Sequence, residues 1–138
     1  MTDKGLRVPD KRLAELAAQA ELAAIEQEHE ASEISVTFQI SYHCEFGQCL
    51  AVIGSSSELG NWELRKDPPR MRWSSGDLWT TTLKLKIREF PIQYKYIVVE
   101  HGTLNPKILR WEAGNNHICS LRGKSVLNIK LFDRWKSD

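Results

Sequence analysis

Long apolar runs are what this chain most clearly lacks. No stretch of its 138 residues approaches the roughly 18 that a membrane-crossing helix needs, and Met1-Thr2-Asp3-Lys4-Gly5 has none of the hydrophobic character of a secretory leader. No membrane span is expected. Cysteine is scarce too: Cys44, Cys49 and Cys119 are odd in number and lack metal-ligand spacing. His29, His43, His101 and His117 add neither metal spacing nor a nucleophile to activate. No metal and no cofactor are expected. Asn-x-Ser/Thr acceptors are absent as well, which fits reduced thiols in an intracellular compartment, cytoplasmic or plastid. Cys44 and Cys49 flank a short loop, so a bridge between them stays open. Nor does one sign of charge dominate: 19 Lys and Arg meet 18 Asp and Glu, a balance that does not call for nucleic acid.

What is present divides in two. Residues 1–33 carry four Lys/Arg against eight Asp/Glu, a net −4, whereas residues 34–138 carry fifteen against ten, a net +5. From Asp10 to about Ser32 the chain is rich in Ala, Leu, Glu and Gln without Gly or Pro, and Pro9-Asp10 supplies a start, so a helix is predicted there. Leu13, Leu16, Ala20 and Ala23 make a narrow apolar stripe that Leu22 and Ile25 broaden. Residues 10–32 could therefore pack on their own domain, pair with a second copy or dock a protein partner. The expected organisation is an N-terminal helical extension, 1–33, followed by one β domain, 34–138.

At Ile34 the apolar period switches to two. Ile34, Val36, Phe38, Ile40 and Tyr42 alternate with Ser35, Thr37, Gln39 and Ser41, the pattern of a strand with one wet face. Further strands are predicted at 49–54, 71–73, 78–86, 92–100, 108–112, 117–121 and 125–132, separated by turn-forming clusters rich in Ser, Gly, Pro and Asn. Seven or eight short strands in about a hundred residues argue for a mainly β chain folded as an antiparallel sandwich.

The tryptophans sort by neighbourhood. Trp79 shares an alternating face with Thr81, Leu83 and Leu85 and is expected in the core, and Trp135 is expected to close the last strand. Trp62 and Trp111 lie instead in polar turns, Leu59-Gly60-Asn61-Trp62 and Arg110-Trp111-Glu112-Ala113-Gly114-Asn115-Asn116. There an indole is well placed to offer its flat face to a flat, partly apolar ligand such as a sugar ring, although plugging the end of a sandwich is the plainer alternative. Each glucose turns axial C–H groups toward one ring face, and the electron-rich indole attracts them while shedding water. Two indoles set at an angle fit a chain that curves.

Five segments, in order, carry a resemblance. Val52-Ile53-Gly54-Ser55, Glu58-Leu59-Gly60-Asn61-Trp62, Gly76-Asp77-Leu78-Trp79, Tyr94-Lys95-Tyr96-Ile97 and the run from Trp111 to Asn116 are similar to the starch-binding domain, the family 20 carbohydrate-binding module, over about residues 34–135. The resemblance implies an immunoglobulin-like antiparallel sandwich with two sites for α-glucan polysaccharide, starch or glycogen. In the first, Trp62 and Trp111 form an exposed platform while Lys95 and Asn116 hydrogen-bond to hydroxyls. In the second, Phe46 stands where the family usually has tyrosine, and Trp73 is the candidate for the partner aromatic, since the loop before Trp79 is shorter than in fungal members.

Catalysis is not expected. Glycoside cleavage needs paired carboxylates across a cleft, and Glu58, Glu63, Asp77 and Glu112 are scattered over turns. Glu112 reads better as a turn-stabilising or sugar-contacting group than as an acid. The sequence thus points to a non-catalytic glucan-binding module of an intracellular protein. The rival is a scaffold with a degenerate sugar site and a partner-binding helix, and a third reading places a phosphorylated glucan on Arg65, Lys66 and Arg70.

Overall fold

The computed structural model describes residues 12–21, 32–63, 67–102, 107–122 and 128–137. The chain divides into two units, Met1–Ser32 and Glu33–Asp138. In the first, residues 12–21 are helical, with Leu13 and Leu16 exposed. Leu22, Ala23 and Ile25, the rest of the expected stripe, lie outside the described residues, as do Arg65 and Lys66.

The second unit contains eight described strands: β1 Glu33–Ser41, β2 Gln48–Gly54, β3 Arg72–Ser74, β4 Leu78–Lys86, β5 Ile92–Glu100, β6 Ile108–Trp111, β7 His117–Cys119 and β8 Asn128–Arg134. They form two sheets. Sheet A runs β3-β4-β1-β8, and sheet B runs β2-β5-β6 with β7 following β6 along the same edge of β5. The period-two signal explains the fit, since alternation records which face of each strand is dry. In β1 every inward residue, Ile34, Val36, Phe38 and Ile40, is buried. Across the sandwich Phe38 meets Tyr94 edge to face, 5.1 Å between ring centroids.

One expectation of the sequence needs correction. The sandwich is not wholly antiparallel, because β1 and β8 pair in parallel, Ser35 with Asn128 through Ser41 with Arg134. Alternation fixes a strand's face but says nothing of its direction. The first and last strands become neighbours only after the chain has built the rest of the sandwich. Trp79 is buried as expected and its indole N–H donates to the Tyr42 carbonyl at 2.9 Å. Trp135 packs against the core by stacking on Tyr42, 4.2 Å between centroids.

Candidate functional site

The outer face of sheet B brings together most of the first expected site. Trp111 ends β6 opposite Ile97, two positions along β5 from Lys95, so the three share a face. The Trp111 side chain is 42% exposed. Beyond it the chain leaves the ladder at Glu112, whose N–H donates to the Tyr96 carbonyl, and rejoins β5 where His117 pairs with Tyr94. Residues 112–116 thus form a short arch over the β5 edge.

Lys95 props that arch from beneath. Its Nζ donates to the backbone carbonyls of Glu112, Ala113 and Gly114 at 3.1, 3.3 and 2.5 Å. An ammonium has three protons, and all are engaged. The sequence expectation gave Lys95 donors for sugar hydroxyls, and here those donors hold the arch. Asn116 donates through Nδ2 to Gln93 Oε1 at 3.0 Å. Gln93 also grips the turn that leads to Trp62: its backbone N–H donates to Ser55 Oγ, and its carbonyl accepts from Ser55 N–H.

Trp62 departs from its expected exposure. It ends a 3-10 turn, Ser57–Trp62, in which Gly60, Asn61 and Trp62 successively take φ of 87°, 52° and 62°. This left-handed run folds the chain back on itself, and the half-buried indole packs against the core. Gly54, just upstream, is required for a different reason. A Cβ there would sit 2.4 Å from the Gln93 carbonyl oxygen and 2.8 Å from Leu59 Cδ1. Only glycine lets the turn approach β5 so closely.

Beneath the arch lies a buried polar network that the sequence did not reveal. Glu112 accepts from Tyr96 N–H at 3.1 Å, Lys136 N–H at 2.8 Å and His117 Nε2 at 2.7 Å. Burial works against its charge, yet the bonds from His117, Tyr96 and Lys136 prevail and hold the carboxyl below its usual range. Asp133 Oδ2 accepts from both Tyr94 and Tyr96 hydroxyls, at 2.7 and 2.6 Å. Burial, then the Asp133 charge, pushes both phenols far up, so they remain neutral donors. Glu112 is therefore a buttress of the arch, its carboxylate taken up by protein donors.

At the other end of β5, roughly 24 Å from Gln93 at strand rise, a second feature opens. Phe46 and Trp73 line one cleft of about 880 Å³ together with Gln48, Arg70, Arg72 and His101. Phe46 is fully exposed and Trp73 is 52% exposed. Trp73 lies opposite Trp79 in the β3–β4 register and donates from Nε1 to Asp77 Oδ1 at 3.0 Å. His43 Nδ1 lies 3.2 Å from Asp77 Oδ2. The Trp73 and His43 hydrogen bonds keep the Asp77 carboxyl below its usual range. Cys44 lies on the cleft wall, and none of Cys44, Cys49 and Cys119 forms a disulfide. Burial and the neighbouring Cys49 push the Cys44 thiol up to about 11, which leaves it a poor nucleophile.

The model of the starch-binding domain matches residues 33–127. The chain belongs to this family. A domain of that kind is a carbohydrate-binding module, and starch is the ligand its name specifies. Among curated proteins, the chain is 32% identical over 109 residues to the AA13 family lytic polysaccharide monooxygenase A of Pyricularia oryzae, covering 77% of this chain and 28% of that one. Among solved structures, a glycoside hydrolase family 15 glucoamylase from Hypocrea jecorina matches 78% of this chain and 18% of its own at 25% identity, TM-score 0.64. The family 20 module of a maltotetraose-forming amylase from Pseudomonas saccharophila STB07 matches along its whole length and 71% of this chain, at 20% identity and TM-score 0.56. This starch-binding domain thus spans less than a third of the first relative's length.

Proposed function

We propose that the domain binds α-1,4-glucan without transforming it, stacking sugar on Trp111 and on the open part of Trp62, and so holds an intracellular protein or attached enzyme on the polymer. The observation that carries this reading is the Trp111 indole, exposed beside an arch that Lys95 and Glu112 hold in place. A fixed platform loses little ordering entropy when a sugar lands on it. Asn116 supplies an oriented amide at the rim, and Lys95 shapes that rim from below. Affinity for a short oligosaccharide belongs in the roughly micromolar to millimolar range, because stacking and exposed hydrogen bonds each net on the order of 1 kcal/mol against the cost of association. The intracellular setting, cytoplasmic or plastid, rests on the three unbridged thiols.

Retention on immobilised amylose tests the proposal. Trp111→Ala should cut it sharply with the fold intact, and unchanged retention would remove the site. Phe46 and Trp73 on one cleft favour a second glucan contact, which would strengthen binding to granules by multivalency. The scaffold reading keeps one specific support, the exposed Leu13 and Leu16 on the N-terminal helix. Sedimentation of the whole chain beside a chain lacking residues 1–33 separates the two: a scaffold changes mass or loses its partner, and a simple module does neither.

A further inference from the structure

The outer face of sheet A lies on the side of the sandwich away from Trp111. Its outward positions carry five cations, Arg72, Lys84, Lys86, Lys130 and Arg134, against one acid, Glu33. Among the described residues the side chain of none of the five makes an ion pair or hydrogen bond. In their midst, on the edge strand β8, Phe132 is 68% exposed. Lys130 and Arg134 flank it on the same face, each about 7 Å along the strand, and Gln39 stands opposite it in the register. Thr80 is next across the sheet. An exposed phenyl on a sheet edge invites unwanted pairing, and a third charge in its place would protect the edge better. The ring is unexplained by the fold.

We propose that this face is a second binding surface, for α-glucan that carries phosphate monoesters. Phe132 stacks on a glucosyl ring, Lys130 and Arg134 take the phosphate on that unit or its neighbour, and Gln39 and Thr80 meet hydroxyls. The proposal rests on the glucan reading above, which it extends to a different face and a charged ligand. Other polyanions fit less well. A single-stranded nucleic acid calls for successive aromatics under successive bases, and this face has one. Membrane docking calls for a broad apolar face, and around Phe132 the face carries hydroxyls, amides and charge.

Calorimetric titration of the whole chain with a maltooligosaccharide bearing one phosphate ester, beside its plain counterpart, decides the matter. The phosphorylated form should bind about fivefold tighter at low salt, with the preference fading at high salt as exposed charge contacts are screened. The pair Lys130→Ala and Arg134→Ala should erase the preference and leave plain binding unchanged, while Phe132→Ala weakens only the phosphorylated form. Equal binding of the two ligands by the native chain overturns the proposal, and so does a preference that survives the double substitution. Binding to phosphatidylserine vesicles that depends on Phe132, without any preference between the sugars, also overturns it by assigning the face to a membrane. Phosphorylated ligand should still bind Trp111→Ala, and loss of both ligands in that variant overturns the proposal. Plain binding that Trp111→Ala leaves at full strength defeats the first-site reading alone.

Discussion

The two ends of β5 present the same device with different support. At the Trp111 end the aromatic follows a ladder, its arch is held by three carbonyl contacts from Lys95, and a buried carboxylate beneath takes three donors. At the Phe46 end the aromatics line an open cleft, Trp73 is held by one hydrogen bond to Asp77, and Phe46 stands fully exposed. If both corners take sugar as proposed, the first would meet it already shaped and the second would have to order its side chains on contact, forfeiting part of the gain. Buried polar support, more than the number of aromatics, ranks the two sites.

The largest break in the comparison should come from Glu112→Ala. It strips the acceptor from the Tyr96 and Lys136 N–H groups and from His117 in a buried setting, and should cost about 3 kcal/mol in urea unfolding. A loss under about 1 kcal/mol would show that the network does not support the corner. Next comes the acid response of that residue. Its folded carboxyl lies below the unfolded value, so its stabilising share is complete above the ordinary carboxylate range and disappears as pH falls through the lowered folded value. The urea midpoint of the native chain should fall between pH 7 and pH 3 by more than that of Glu112→Gln.

Affinity should separate the ends more gently. Trp111→Ala should weaken short-oligosaccharide binding about tenfold and Phe46→Ala about threefold, as stacking energies of this order imply. Both exposed substitutions should leave stability within about 0.5 kcal/mol. Trp62→Ala should differ from them, losing about 2 kcal/mol of stability along with affinity, because its half-buried ring packs on the core. Equal losses of affinity at the two ends would erase the distinction.

Most of the β frame was legible because alternation reports burial directly. β4 and β5 fall where the sequence put them, and β6 and β7 end one and two residues early, where the chain bends into the Glu112 arch and beyond Cys119. The parallel pairing of β8 was not legible, since neighbours so distant in the chain leave no local mark. The placement of the candidate site residues was legible only in part. Trp111 and Asn116 lie as their polar turn suggested, but Lys95 spends its protons on carbonyls that no spacing rule reveals. Trp62 has polar sequence neighbours, yet three left-handed residues turn it inward. Glu112, His117 and Asp133 converge only when β8 closes the sandwich, so their union could not be seen before the fold.

The smallest effect should sharpen the comparison from the weaker side. Asp77 is the anchor of Trp73, and the Trp73 and His43 hydrogen bonds lower its carboxyl. Asp77→Asn keeps one oxygen for the indole N–H and removes the charge, so Trp73 loses orientation without losing its place in β3. Cleft affinity, measured in the Trp111→Ala background so that the strong corner is silent, should fall about twofold, while the urea midpoint stays put. Lowering the pH should imitate the substitution, because protonation as pH falls through the lowered value also removes the charge. A twofold loss confined to this background places the deficit in side-chain order. A shift of the urea midpoint would instead make Asp77 a part of the fold's support, and the two ends of β5 would then differ in degree alone.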